Sequence, residues 1–150
     1  MNTQNIKNII KTNTNLNTLF NGYESLLHNM VSSNNIDGVR LLLNANAKVN
    51  IKDANGSTPL SSAACRGSVK IIKLLLKYGA DPNIKSDDKM NPMHVVFECE
   101  QAGRTKRSYD VIKILLESGC NPNSKEIGGL TVLDYAYLVN ARSDTKNLLM

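Results

Sequence analysis

Three cysteines and two histidines are the side chains of this sequence that could act as nucleophiles, general bases or metal ligands. The cysteines, Cys65, Cys99 and Cys120, are odd in number and contain no Cys-x-x-Cys pair. Their spacing argues against a disulfide framework and against a structural zinc site, and it fits a reducing compartment. Cys99 follows His94 by five residues, so on one helix the two side chains diverge. A Cys/His nucleophile pair is therefore not expected.

The two histidines, His28 and His94, are 66 residues apart and follow similar tripeptides, Ser-Leu-Leu and Asn-Pro-Met. Such a match indicates a framework position more than a catalytic one. The sequence contains no Gly-x-x-x-x-Gly-Lys-Ser/Thr phosphate loop. We therefore expect a protein that is not an enzyme, with no cofactor, no metal and no small-molecule substrate.

Composition narrows the class of protein further. The chain has 150 residues, of which 41% are hydrophobic and 21% charged, as is typical of a folded domain. It has no apolar run of roughly 18 residues and no secretory signal, so we expect a cytoplasmic protein without a membrane partner. The net charge of +5 is mild and spread along the chain, which disfavours a nucleic-acid partner.

A 33-residue period organises the elements that carry these residues. Thr58-Pro59-Leu60 aligns with Asn91-Pro92-Met93 at that offset, and Ser25-Leu26-Leu27 aligns one period upstream. The second half of each unit repeats as well, with a spacing of 33 and then 40 residues, in Leu41-Leu42-Leu43, Leu74-Leu75-Leu76 and Ile114-Leu115-Leu116. Coincident registers of this kind predict a stack of repeated supersecondary units.

The best-defined unit reads as two short helices. Pro59 suits a first helical position behind Thr58 as N-cap, and Gly79 suits the left-handed residue that follows a helix. Asn13, Asn46 and Gly119 stand at the position of Gly79 in the other units, and asparagine tolerates that conformation. Apolar residues at helical spacing predict the two buried faces, Leu60, Ala63 and Ala64 in the first helix and Val69, Ile72, Leu75 and Leu76 in the second.

This unit resembles the ankyrin repeat, and the resemblance extends over nearly the whole chain. It implies an all-α solenoid of about four stacked helix-turn-helix units, with short β-turn hairpins between them. His28 and His94 match the position where a histidine of this family hydrogen-bonds within the turn and helix start. Cys65 and Cys120 match small apolar positions and are expected to be buried thiols. We expect one domain, 1–150, incomplete at both ends and divided into 1–20, 21–52, 53–85, 86–125 and 126–150.

Two departures from the repeat are informative. Tyr23 and Lys89 stand where Gly56 and Gly129 stand in the other units, so we expect the turns at these two positions to differ in shape. The third unit has seven extra residues, within 98–108. They lengthen its first helix or enlarge the loop between its helices, and Gly103 indicates at least a local break.

The resemblance implies a concave surface made by the hairpin tips and the exposed sides of the first helices. Residues at these positions are the candidate contacts for a protein partner: Lys52, Asp53, Asn55, Lys85, Asp87, Asp88, Lys125 and Glu126 at the tips, and Arg66 and Glu98 with Ser62 and Val95 on the first helices. A basic cluster in the insertion, Arg104, Lys106 and Arg107, is either a solvated loop or a contact for an acidic surface.

The Asn/Lys/Ile-rich composition and the Asp-Val-Ile-Lys-Ile-Leu-Leu segment resemble the ankyrin proteins of poxviruses. This resemblance implies a monomeric module that binds a host protein in the cytoplasm of the infected cell. Nothing after Leu130 resembles the F-box-like segment of longer relatives. Two alternatives stay open at this point: a remnant fragment of a longer ankyrin protein with no specific activity, and a weakly nucleic-acid-associated basic protein.

Substitution of Arg104, Lys106 and Arg107 by serine tests the insertion as a contact. If the basic cluster faces an acidic partner, the variant should bind that partner more weakly while its melting temperature stays the same, because exposed charges contribute little to stability. Affinity titration and a thermal melt measure the two quantities. Unchanged affinity would leave the cluster as a solvated loop.

Overall fold

Two layers of short helices make up the computed structural model, which describes residues 3–12, 15–20, 22–103 and 107–150. The first-helix layer contains α2 (Leu26–Ser32), α4 (Pro59–Cys65), α6 (Pro92–Gln101) and α8 (Val132–Leu138). The second-helix layer contains α1 (Thr3–Lys11), α3 (Ile36–Asn44), α5 (Val69–Lys77), α7 (Ser108–Glu117) and α9 (Ser143–Asn147). Neighbouring helices pack within each layer, and α2–α3, α4–α5, α6–α7 and α8–α9 pair across them. This is the expected all-α solenoid.

Hairpin loops connect one helix pair to the next. In the first, β1 (Leu19–Phe20) pairs antiparallel with β2 (Glu24–Ser25). The later hairpin loops, residues 51–57, 84–90 and 124–130, are each closed by two main-chain hydrogen bonds, in the first of them from Asp53 N–H to Ser57 O at 2.9 Å and from Gly56 N–H to Asp53 O at 3.0 Å. Among the described residues no helix is long and apolar enough to cross a membrane.

Every first helix begins with the predicted kind of cap. Ser25, Thr58, Asn91 and Thr131 have extended backbones, and each side-chain oxygen accepts the N–H of the residue three positions later, at 3.2–3.3 Å. Proline occupies the first turn of α4 and α6, where its missing N–H costs nothing. The second helices end as predicted too, because Asn46, Gly79 and Gly119 have φ of 62°, 84° and 83°. Asn13 lies outside the described residues.

The core runs continuously between the layers. Leu60, Ala63 and Ala64 are completely buried, as the spacing predicts. In α5 the prediction needs a correction, since Ile71 is fully buried beside Ile72 and Leu75 whereas Val69 and Leu76 are only partly buried. The reason is that α5 contacts α3, α4 and α7 together, so its buried face is displaced from the stripe that faces α4 alone.

Side chains of asparagine bridge successive helix pairs at the ends of the second helices. The Oδ1 atoms of Asn17, Asn50 and Asn83 accept the main-chain N–H groups of Lys48, Asp81 and Asn121, at 2.7, 2.9 and 2.8 Å. The Nδ2 groups of Asn50 and Asn83 donate to the carbonyls of Gly79 and Gly119. Each asparagine therefore completes hydrogen bonds that the next pair would otherwise leave unmade.

The seven extra residues are shared between both predicted locations. Helix α6 has 10 residues where α4 has 7, and six residues separate α6 from α7 where three separate α4 from α5. The remaining residue lengthens α7 relative to α5. Gly103, at φ 69°, ends the extended helix, which agrees with the predicted break.

The two unusual turns behave differently from each other. Lys89 has φ 60°, close to the 71° of Gly56, so the third turn keeps the shape of the second and the expected difference is wrong there. In the first hairpin Gly22, at φ 74°, provides the left-handed residue in place of Tyr23, and this turn does differ. The third turn therefore keeps the geometry of the second, and the left-handed residue of the first hairpin lies one position earlier.

Gly56→Ala and Gly129→Ala should destabilise the protein to different extents. Both residues have positive φ, which costs an alanine about 1 kcal/mol. A Cβ on Gly56 would also overlap Asp87 Oδ1 and approach Asp87 N to 2.9 Å, whereas one on Gly129 meets nothing within 4 Å. Urea unfolding should show a loss of about 1 kcal/mol for Gly129→Ala and about 2–3 kcal/mol for Gly56→Ala. Equal losses for the two variants would mean that Asp87 does not pack closely against Gly56.

Candidate protein-binding groove

A polar groove of about 690 Å³ runs between the first helices α4 and α6 and the hairpin loop 51–57. Serine hydroxyls, three charged side chains, one amide side chain and two sulfur atoms line it, together with one valine. The lining residues are Ser32, Asp53, Asn55, Ser57, Ser61, Ser62, Cys65, Arg66, Val95, Glu98 and Cys99. It is therefore a hydrogen-bonding surface with little apolar area.

The repeat itself brings the lining residues together. Ser32, Cys65 and Glu98 are spaced by 33 residues, and so are Ser62 and Val95, so that each set lies in a row across the stacked first helices. Of the residues predicted as contacts, Asp53, Asn55, Ser62, Arg66, Val95 and Glu98 lie in this groove. The serines at 32, 57 and 61 and the sulfur atoms were missed, although their place in the period marks them.

Charge is divided between the two helix layers. The first helices contain no lysine or arginine and three carboxylates, whereas the second helices contain eight lysines and arginines. Arg66 and Glu98 are exposed, and the salt bridge found in the described part of the chain joins Arg142 to Asp144. The charges of Arg66 and Glu98 are therefore not neutralised by an ion pair with described residues, and they can pair with charged groups of another molecule.

The other predicted tip residues tie the hairpin loops to one another. Lys52 Nζ donates to Lys85 O at 2.9 Å, and Lys85 Nζ donates to Lys125 O at 3.1 Å. The main chain of Asp87 donates to Asn55 O, and Asp88 O accepts from Ile127 N–H. These contacts align the loops along one edge of the groove.

Glu126 closes its own hairpin loop. Its carboxylate accepts the N–H groups of Gly128 and Leu130 at 2.8 and 3.0 Å, and these bonds hold its pKa below the usual range. Asp53 closes the loop 51–57 in the same way, because its Oδ1 accepts the N–H groups of Asn55 and Ser57. The carboxylates of Glu126 and Asp53 therefore stabilise the conformation of their own loops.

The basic cluster of the insertion is only partly described. Arg104 and Lys106 lie outside the described residues. Arg107 precedes α7 and lies beside Lys73, Asp110 and Lys113 in a depression between α5 and α7. This depression belongs to the second-helix layer, so the structure does not bring Arg107 together with the groove residues.

The two histidines are structural links between helix pairs. His28 Nδ1 lies 2.9 Å from the cap Ser25 Oγ, and its Nε2 lies 3.1 Å from Ser57 O of the following hairpin loop. His94 repeats the arrangement, with Nδ1 2.8 Å from Asn91 Oδ1 and Nε2 3.4 Å from Leu130 O. Both imidazoles are buried, and burial lowers the pKa of each. The structure confirms the predicted hydrogen bonding within the turn and helix start.

The cysteine prediction is wrong for two of the three residues. Cys65 and Cys99 form a disulfide between α4 and α6, with their Cα atoms 5.3 Å apart. Their separation of 34 residues is one more than the period, and this places them diagonally across two adjacent first helices. Counting cysteines and searching for Cys-x-x-Cys could not reveal a pair that stacking alone brings together.

Cys120 is the buried thiol that the sequence predicts. Its Sγ donates to Pro82 O at 3.0 Å, and burial raises its pKa to about 12. A thiol with such a pKa is not a nucleophile near neutral pH. Within the described ranges no three His, Cys, Asp or Glu side chains are grouped so that they could hold a metal ion.

The family of this chain follows from a sequence comparison that agrees with this geometry. The family model for ankyrin repeats (3 copies) matches residues 2–86 and 27–126, which is well over half of the chain. The chain is an ankyrin-repeat protein. Ankyrin repeats form a non-enzymatic scaffold for protein–protein interaction, and this ankyrin array carries its polar groove on the first-helix layer.

Individual relatives come from viruses, plants and animals. Two ankyrin repeat proteins of fowlpox virus, FPV222 and FPV219, are 41% and 44% identical to this chain over 47% and 41% of its length. The E3 ubiquitin-protein ligase KEG of Arabidopsis thaliana is 36% identical over 47% of the chain. The matched segment covers 9%, 14% and 4% of these three proteins, so the similarity concerns their ankyrin repeats.

Acidification should destabilise this ankyrin array through His28 and His94. Because burial lowers both pKa values in the folded state, the unfolded chain binds more protons once the pH falls to about 6.5. The stabilisation is present above that pH and is lost as the pH falls through it towards the folded-state values. Urea unfolding between pH 7.5 and 5.5 should show this loss.

The double variant His28→Ser/His94→Ser provides the control. Serine occupies the corresponding position in α4, its third residue, as Ser61, so the substitution introduces a residue that this position accommodates. We expect the variant to be less stable at pH 7.5. Its free energy of unfolding should also change less with pH, because up to about two fewer protons are taken up on unfolding. An unchanged pH dependence would assign the effect to other groups.

Proposed function

We propose that this chain is a non-enzymatic module that binds a folded host protein through the groove between α4 and α6. The similarity to fowlpox ankyrin repeat proteins supports a virus–host role. We place this activity in the cytoplasm of the infected cell, with one copy of the chain per partner.

The observation that carries the proposal is that charged side chains in the groove form no ion pair with described residues, whereas those at the loop tips are already hydrogen-bonded. The loop residues Lys52, Lys85 and Glu126 already donate to or accept from the neighbouring main chain. Arg66 and Glu98 are instead exposed, and they form no ion pair with described residues. Such groups favour recognition of a partner, because a partner can pair with their charges without first breaking an ion pair between described residues.

Charge indicates what the partner presents to the groove. The first helices carry only carboxylates, so a basic side chain of the partner can approach Glu98 without meeting a lysine or arginine of these helices. Arg66, which also lines the groove, provides one site for an acidic group. We expect a polar partner surface that has an acidic and a basic side chain in complementary positions.

Site-specific photo-crosslinking tests which layer contacts a partner. A photoreactive phenylalanine analogue placed at Val95, in the groove, should give a discrete adduct in host-cell cytosolic extract. The same analogue at Lys113, which is exposed on the second-helix layer, should give none. Mass spectrometry of the adduct names the partner. An adduct at Lys113 alone would refute the groove as the binding site.

Charge reversal then tests the proposed contacts with that partner. Arg66→Glu should weaken binding about tenfold or more, because it replaces an attractive charge pair by a repulsive one. The matched reversal Lys113→Glu should change affinity less than about twofold, since an exposed charge outside the interface contributes little. Thermal melts of both variants verify that they are folded. Equal effects of the two reversals would contradict the proposal.

A further inference from the structure

The disulfide between Cys65 and Cys99 is placed where two adjacent repeats meet at the groove. Cys65 is the last residue of α4, and Cys99 lies in the part of α6 that extends beyond the length of α4. Both residues contribute to the wall of the groove. The bond therefore fastens the extended end of α6 to α4 at the wall of the groove.

The two sulfur-bearing residues differ in access. Cys65 is half-buried at a helix end, whereas only 2% of Cys99 is exposed. Thiol–disulfide exchange requires an incoming thiolate to reach one sulfur atom along the axis of the bond. Cys65, the more exposed of the two at the end of α4, is therefore the residue that a small molecule in the groove reaches more readily, and Cys99 is buried within α6.

The surroundings of Cys65 suit a small thiol that carries charges of both signs. The exposed guanidinium of Arg66 follows Cys65 directly in sequence, and the carboxylates of Glu98 and Asp53 line the same groove. Glutathione carries two carboxylates and one ammonium group, so Arg66 can attract its carboxylates while Glu98 and Asp53 attract its ammonium group. Cys120, the remaining cysteine, is buried with its Sγ bonded to Pro82 O, and it takes no part.

We propose that Cys65 and Cys99 form a reversible thiol-modification site in which Cys65 exchanges with small disulfides of the glutathione class and Cys99 resolves the adduct. This inference does not depend on what the groove binds.

The exchange balances without any further reactant. In the oxidising direction, the Cys65 thiolate attacks glutathione disulfide, forms a mixed disulfide and releases one glutathione thiolate. The Cys99 thiolate then attacks the Cys65 sulfur, expels the second glutathione thiolate and forms the Cys65–Cys99 bond. Two protein thiols are oxidised by two electrons and one glutathione disulfide is reduced to two glutathione molecules, and the two protons lost by the protein thiols are taken up by the two glutathione thiolates. Excess glutathione drives the reverse sequence.

Intact-mass spectrometry of single variants tests the assigned roles. Cys99→Ser lacks the resolving thiol, so the folded protein should accumulate one glutathione at Cys65 on incubation with glutathione disulfide. Cys65→Ser should react at least about tenfold more slowly, since the Cys99 sulfur is buried. Equal rates in the two variants, or no adduct in folded Cys99→Ser, would overturn the proposal. Peptide mapping must place the adduct on residue 65.

Thiol counting on the full, unsubstituted chain tests reversibility. Under denaturing quench, the reduced protein should show three thiols and the glutathione-disulfide-treated protein one, and excess glutathione should restore three. A count that stays at three would refute formation of the bond. A bond that opens only in denaturant would refute exchange in the folded state.

Thermal melting measures the consequence for the array. The oxidised protein should melt about 5 to 10 °C above the reduced protein, because the bond closes a loop of 34 residues in the unfolded chain. The double variant Cys65→Ser/Cys99→Ser controls for the redox agents and should melt at one temperature in both conditions. A shift of the same size in this variant would attribute the effect to Cys120 or to the solvent.

Discussion

Each helix pair of this chain is too small to bury its own apolar side chains, and the stacking of first helices supplies the missing surface. Helix α4 illustrates the constraint, because it lies between α2 and α6 and its residues Leu60, Ala63 and Ala64 have no exposed surface. The two alanines allow the helices to approach closely. That approach brings Cys65 and Cys99 within bonding distance and sets the width of the groove.

Hydrogen bonds between pairs fix the position of each repeat relative to the next. His28 and His94 each contact a carbonyl of the following hairpin loop, while Asn50 and Asn83 join the ends of successive second helices. A buried polar group that loses its partner costs about 1–3 kcal/mol, so the buried imidazoles of His28 and His94 penalise any other register. Polar groups of the loops are therefore already hydrogen-bonded to neighbouring repeats, whereas the exposed polar side chains of the first-helix layer can bind a partner.

The separation of charge between the layers gives the two faces different chemistry. The lysines and arginines of the helices are all in the second-helix layer, although the net charge of +5 by itself suggests a uniformly basic protein. The groove is instead lined by hydroxyl groups, a few charged side chains and sulfur. A partner that binds in the groove therefore avoids the basic layer, and a polyanion would meet that layer first.

Local residue types determined the helices, caps and turns of this protein. Thr58 before Pro59, the left-handed positions Asn46 and Gly79, and the buried face of α4 act within a few residues of one another, so the chain order contains all that is needed. The 33-residue period also determined the family and the stacking, since every unit must bury the same stripe. Recognition of that period identified six of the side chains that line the groove.

Contacts across the stack decided the rest. The partner of Cys65 depends on the distance between two helices 34 residues apart, and no local rule contains that distance. Lys89 adopts the conformation expected of glycine in a hairpin loop whose Asp87 lies close to Gly56 of the preceding loop. Ile71 is buried because α5 has three neighbouring helices, and Arg107 lies apart from the groove because α7 belongs to the other layer. In each case the deciding interaction joins residues that only the packed array brings together.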